Sequence, residues 1–164
     1  NLASRVLAMN VKYFDGVVPA AGEETEADAA IRELVARAAA TADEKIEALA
    51  IHEAIAAVWE VVDALNGYIT EQEPWVLSKS DETRERLGTV LYTATEGLRA
   101  LAELLSPVVP EATAKLWLAL GAQEALGELS AQPIREAGTW GRLPAGARQQ
   151  PLESLFPRIE QDQA

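Results

Sequence analysis

Cysteine is absent from this chain of 164 residues. That excludes disulfides, thiolate metal sites and thiol nucleophiles, and it fits a reducing compartment. Histidine occurs once, as His52. His52-Glu53 begins the two-histidine helix motif of zinc peptidases, but the position that needs the second histidine is Ala56. A carboxylate-bridged metal bundle needs two Glu-x-x-His units, and the sequence has none. His52 is therefore expected to make a structural polar contact. Gly-rich phosphate loops are missing too. Ser78-Lys79-Ser80 matches the end of the Lys-Met-Ser-Lys-Ser loop of nucleotide-activating ligases, but Val76 and Leu77 stand where Lys-Met belongs. No Rossmann pattern surrounds it, so it reads as a loop. A complete catalytic set is lacking.

Positive charge is scarce: 14 Lys and Arg face 26 Asp and Glu, a net charge of −12. A sequence-blind nucleic-acid binder needs a basic surface, so that class is disfavoured. The acids concentrate between Glu23 and Glu73, opposed there only by Arg32, Arg37 and Lys45. A polyanion would have to approach another face. Aromatics make up 5% of the chain although 49% is hydrophobic, so alanine, leucine and valine must fill the core, a balance that favours helix. No apolar run is long enough to span a membrane, and no signal peptide is visible. Internal repeats, low-complexity tracts and useful strand alternation are all missing.

What is present is helical periodicity. Leu2, Val6, Met9 and Tyr13 form one stripe, widened by Leu7, Val11 and Phe14, while Asn1, Arg5, Ala8 and Lys12 share another side. Asp15 to Glu24 reads as a loop. Thr25 or Asp28 starts a second helix, expected to end near Ala40. Thr41 to Glu44 has the capping-box pattern and is expected to open a third helix reaching Gln72. Its stripe is Ile51, Ile55, Val58, Val62, Leu65 and Ile69. A second line, His52, Trp59, Asp63 and Asn66, is expected to face a neighbour. Ser80 or Asp81 caps a fourth helix with Leu87, Leu91, Ala94, Leu98, Leu101 and Leu105 on one stripe. Pro110 starts a fifth, carrying Leu116, Trp117 and Leu120 and stopping at Gly121. Leu155 to Ile159 reads as an extended apolar anchor. The fold class is all-α, a bundle of about five helices over residues 1–121 with a C-terminal tail over 122–164.

One polar set invites a function. Asn1 and Arg5 are four apart, hence on one helical face. Trp75 follows Pro74, which ends the preceding helix and fixes its own backbone torsion. An exposed, rigid indole is a stacking platform, and Arg and Asn can complement the Watson–Crick edge of an unpaired base. On spacing alone the alternative stands beside it: Trp75 plugs a helix junction and Arg5 pairs with a nearby acid. The rival class is a helical protein-interaction bundle without an RNA role.

Particular segments carry a resemblance. Asn1-Leu-Ala-Ser-Arg5, followed by Lys12-Tyr-Phe-Asp-Gly-Val-Val-Pro19, resembles the first helix and loop of the anticodon-binding domain of bacterial methionyl-tRNA synthetases, a class I aminoacyl-tRNA synthetase family. Asn66-Gly-Tyr-Ile-Thr-Glu-Gln-Glu-Pro-Trp75 is similar to that family's Asn-x-Tyr-Ile-x-Glu-x-x-Pro-Trp segment. Leu104 to Pro110 and the tail from Gly138 to Glu160 resemble it as well. The resemblance implies an anticodon-binding helical bundle. It implies that Asn1 and Arg5 hydrogen-bond a cytosine, the first base of a C-A-U anticodon, that Trp75 stacks on it, and that Pro74 and Asn66 support the arrangement. It implies methionine tRNA as partner, a catalytic domain of the same polypeptide ahead of Asn1, no DNA, no membrane and a cytoplasmic location. ATP with Mg2+ would serve the parent ligase, with no cofactor and no metal held by this fragment.

Overall fold

Alanine-rich and leucine-rich stretches with few β-branched runs form helices throughout the computed structural model, which describes residues 1–156. Among the described residues seven α-helices follow in order: α1 Leu2–Phe14, α2 Glu26–Glu47, α3 Ile51–Gln72, α4 Pro74–Leu77, α5 Arg84–Leu105, α6 Pro110–Ala119 and α7 Ala122–Leu126. Five of them have ten or more residues. Short 3-10 turns lie at Asp81–Thr83, Leu129–Ala131 and Ile134–Glu136. The all-α bundle of about five main helices is what the periodicity predicts.

The second helix boundary differs from expectation. Thr25 does cap α2: its backbone N–H donates to Asp28 Oδ2 at 2.7 Å in a capping box. But α2 does not end near Ala40. Thr41 to Glu44 lie inside it, and the break falls at Ala48–Ala50, with Leu49 left-handed at φ 60°. Ala38, Ala39 and Ala42 are buried against the bundle, so packing carries the helix through the false cap. The chain then turns without glycine or proline, the signals on which a boundary reading depends.

α5 is the axis of the bundle and packs against α1, α2, α3, α4 and α6. Every residue from Leu87 to Leu104 is buried except Tyr92, which is half-buried. A helix covered on all sides needs no polar face, so the leucine stripe read from the sequence is only one of its contact faces. Gly97 lets α3 come close: a Cβ there would lie 2.8 Å from Leu65 Cδ1.

Charge is buried on α5 as well. Glu96, Arg99 and Glu103 are fully covered; Arg99 pairs with both glutamates, and Arg142 pairs with Glu103 as well. Glu96 accepts hydrogen bonds from the backbone N–H of Gly141, Arg142 and Leu143 at 3.0, 3.0 and 3.2 Å. Arg99 donates to the carbonyls of Ala137 and Thr139, both at 2.9 Å. Buried charges require this degree of pairing, since an unpaired one costs several kcal/mol. The irregular segment 137–143 is thereby fastened to α5. Farther on, a single antiparallel bridge joins Val17 to Arg148. Gly121, at φ 75°, lets the Arg148 carbonyl approach so closely that a Cβ would lie 2.1 Å from it. Of the expected apolar anchor, Leu155 packs on the core and Phe156 is exposed, while Pro157, Arg158 and Ile159 lie outside the described residues.

Candidate functional site

On α1 the apolar positions Val6 and Leu7 are completely buried, which turns Asn1, Arg5, Ala8 and Lys12 outward in a row. Arg5, Ala8 and Lys12 of that row form one wall of a groove of about 320 Å³, lined also by Met9, Tyr13, Ile69 and Trp75. Ile69, buried on α3, is its floor. Trp75 stands opposite, 42% exposed. A junction plug would be covered, so that alternative for Trp75 does not hold.

The local backbone explains the presentation. Glu73 takes left-handed torsions, φ 45° and ψ 58°, and ends α3. Such torsions cost a non-glycine residue roughly 1–2 kcal/mol. The next residue, Pro74, is buried at the first position of α4, where its missing N–H breaks no hydrogen bond. The break therefore lies at Glu73, and Trp75 belongs to a one-turn helix rather than to an open loop. That turn is closed by Val76 N–H to the Glu73 carbonyl at 2.7 Å and Ser78 Oγ to the Trp75 carbonyl at 3.0 Å. Thr83 Oγ1 donates to the Leu77 carbonyl at 2.6 Å and ties its end to the start of α5.

Arg5 Nη2 donates to Asn66 Oδ1 at 3.0 Å, and Asn66 Nδ2 donates to the Val62 carbonyl at 3.0 Å. Asn66 thus aims its acceptor at Arg5 and anchors its amide on α3. Arg5 pairs with this amide and not with an acid, against the alternative drawn from spacing. Asn1 is exposed, and its side chain makes no capping bond. Its carbonyl accepts from the Arg5 N–H at 3.0 Å, one turn outside the groove. The fold therefore brings Arg5, Asn66 and Trp75 around one opening, leaves Asn1 at its edge, and sets Pro74 beneath.

At the end of α3, three residues before Trp75, lies a polar clamp that sequence reasoning missed. Asp28 is buried at the start of α2 and accepts from Tyr68 Oη, Thr25 and both Arg86 amino groups. Arg86 Nη2 also donates to Gln72 Oε1, at 2.6 Å, on the last residue of α3. Burial pushes the Asp28 carboxyl up, but the hydrogen bonds from Arg86, Thr25 and Tyr68 outweigh it and hold it below the usual carboxylate value. Burial, reinforced by Asp28, raises the Tyr68 phenol. For Arg86 burial acts downward and Asp28 more than compensates, so it stays charged. Thr25 and Asp28 were legible only as alternative helix starts, and the partners of Asp28 lie 40 and 58 residues away.

Other candidates fall elsewhere. His52 is exposed, and its Nε2 is 3.9 Å from Glu53 Oε1, too far for the expected structural hydrogen bond. Of the line His52, Trp59, Asp63 and Asn66, the first three are exposed, Trp59 by 54%, and Asn66 meets a neighbour, Arg5 on α1. Among the described residues no group of three or more His, Cys, Asp and Glu could hold a metal ion, and no helix is long and apolar enough to cross a membrane.

Comparison with known proteins places this geometry. Residues 18–164 match the model for the anticodon binding domain of methionyl tRNA ligase. A methionine–tRNA ligase of Streptomyces coelicolor is 50% identical over 167 aligned positions, covering 100% of this chain and 31% of the relative. One of Deinococcus radiodurans is 44% identical, covering 98% of this chain and 22% of its own length. The structure of apo Mycobacterium tuberculosis methionyl-tRNA synthetase superposes with a TM-score of 0.87 at 33% identity, covering 98% of this chain and 32% of that one. Its complex with methionyl-adenylate gives 0.86 at 34% identity, covering 96% and 30%. The chain spans about a third or less of the length of these relatives.

Proposed function

The chain belongs to the family of anticodon-binding domains of methionyl-tRNA ligases, and from that premise we propose that it reads the C-A-U anticodon of initiator and elongator methionine tRNA. The observation that carries this reading is the groove with Arg5 on one wall and an exposed Trp75 on the other. A base lying on the indole gains ~1–3 kcal/mol from stacking, whatever its identity. Identity comes from the edge. Cytosine offers two acceptors and one amino donor, which Arg5 and Asn1 complement. Asn66 occupies one Arg5 N–H and holds the planar fork in place. Pro74, beneath, keeps the platform rigid.

In this reading the chain positions tRNA for ligation by a parent methionine–tRNA ligase of the cytoplasm. The parent's catalytic domain, on the same polypeptide, supplies the methionine site and the ATP and Mg2+ that activate the amino acid. This chain contributes binding and discrimination. Residues 1–121 act as the reading bundle, and residues 122–164 are a tail docked on the bundle or on the catalytic domain.

The test is a titration of this chain, and of the longer polypeptide that carries it, with two anticodon stem-loops at fixed salt. One bears C-A-U and the other has uracil first. Preference for C-A-U is expected, and Arg5→Ala is expected to narrow it by ~1–3 kcal/mol, the value of a good polar pairing to a base edge. Equal affinity for both loops in both proteins would refute the reading.

A further inference from the structure

Lys12 has no role in the reading above, yet it lines the same groove as Arg5 and Trp75. It lies seven residues beyond Arg5 on the exposed face of α1, a rise of ~10 Å. Its Nζ sits 5.3 Å from the centroid of the Tyr13 ring. Tyr13 is half-buried and also lines the groove, so the ring is a fixed rest for a long, mobile side chain.

Neither cation of this wall is ion-paired, a condition shared among the described residues by Arg37, Lys79, Arg84, Lys115, Arg135 and Arg148. Arg32, Lys45, Arg86, Arg99 and Arg142 each pair with an acid. Among the described residues no acid lies within ion-pair distance of Arg5 or Lys12. Two unneutralised cations along one wall, in a chain of net charge −12, make a local attractor for an anion. Their backbone positions are ~10 Å apart along α1, and both side chains line the groove. Arg5 has the planar fork suited to a base edge. Lys12 has the compact point charge that suits a phosphate oxygen.

We propose that Lys12, seated on the Tyr13 ring, pairs with the RNA phosphodiester flanking the base stacked on Trp75. This rests on the anticodon-reading function proposed above. Lys12 carries no sequence information. It holds the backbone in register so that the base edge meets Arg5, and its contact is electrostatic and salt-dependent.

The test uses the full-length polypeptide and the C-A-U stem-loop, titrated at several salt concentrations with the uracil-first loop as comparison. Lys12→Gln is expected to flatten the plot of log affinity against log salt by about 0.7, the counterion share of one single-strand phosphate. Its affinity deficit then shrinks about 2.6-fold between 50 and 200 mM salt. The ratio of affinities for the two loops stays as in the parent, and Lys12→Arg restores the slope. Lys115→Gln, which removes an exposed cation from another pocket, leaves the slope unchanged. A parent that prefers C-A-U, with a Lys12→Gln variant of unaltered slope, overturns the Lys12 assignment and leaves base reading intact. An equal flattening by Lys115→Gln overturns it too, because net charge is then the cause. A parent without preference removes the reading and the Lys12 contact with it.

Discussion

Replacing Arg86 by methionine isolates the clamp at the end of α3. The substitution keeps the apolar stem and deletes two charge-assisted bonds to Asp28 and one to Gln72. Removing one partner of a buried pair costs ~3–5 kcal/mol. The Asp28 side chain is 0% exposed but that of Arg86 is 23% exposed, so water reaches part of the vacated space. Tyr68 and Thr25 still donate to the carboxylate. The expected loss is therefore lower, about 2–3 kcal/mol. For a chain of this length each kcal/mol lowers Tm by ~2–4 °C, giving a fall of about 4–12 °C. Thermal unfolding followed by circular dichroism measures it, in a cycle with Asp28→Asn and the double variant. Coupling of at least ~1 kcal/mol is expected between two groups in one network. The coupling is also pH-dependent. The folded Asp28 carboxyl titrates below its ordinary value, so its stabilisation is complete above about pH 4 and fades as pH falls through the lowered value. The Tm gap between parent and Arg86→Met narrows in acid. Additive costs, or a gap that does not change with pH, would refute this account of the clamp. Freed from Arg86, Gln72 no longer fixes the end of α3, and C-A-U affinity falls with the platform's order.

Trp75→Ala is expected to weaken the C-A-U loop about 5- to 150-fold, the equivalent of ~1–3 kcal/mol of stacking, and to cripple charging by the full-length ligase. Because the indole is 42% exposed, Tm changes little; unaltered charging would remove Trp75 from the site. Gly121→Ala meets both a left-handed backbone and a carbonyl oxygen 2.1 Å away, so it is expected to cost more than ~2 kcal/mol and to lower Tm visibly, with C-A-U discrimination intact in the folded protein.

The sequence carried α1, α5 and α6 and one apolar face of each because apolar spacing and flanking Pro and Gly are local signals, while Asn10 and the other buried faces of α5 were not read. Asn1, Arg5, Ala8 and Lys12 were grouped correctly on one exposed side for the same reason. Arg5 and Trp75 were grouped by their chemistry, but only motif resemblance set that reading above its alternative, since no spacing rule relates residues on two different helices. The false cap at Thr41 shows the limit of local signals: packing of Ala38 and Ala42 outweighed a pattern worth about 1 kcal/mol. Arg86 and Glu96 escaped because charged residues on a helix default to solvent. What buries them is contact with Asp28 and with Gly141 to Leu143, placed by the fold and not by neighbours in sequence.

The cluster of Glu96, Arg99, Glu103 and Arg142 has a consequence in temperature. Stripping water from ions is the main cost of such a cluster, and that cost falls on heating, because ion hydration carries strongly negative entropy. Apolar packing gains nothing comparable. The joint between α5 and the segment 137–143 is therefore least favourable in the cold and gains relative weight in warmth, where the stabilisation from the surrounding alanine and leucine core levels off.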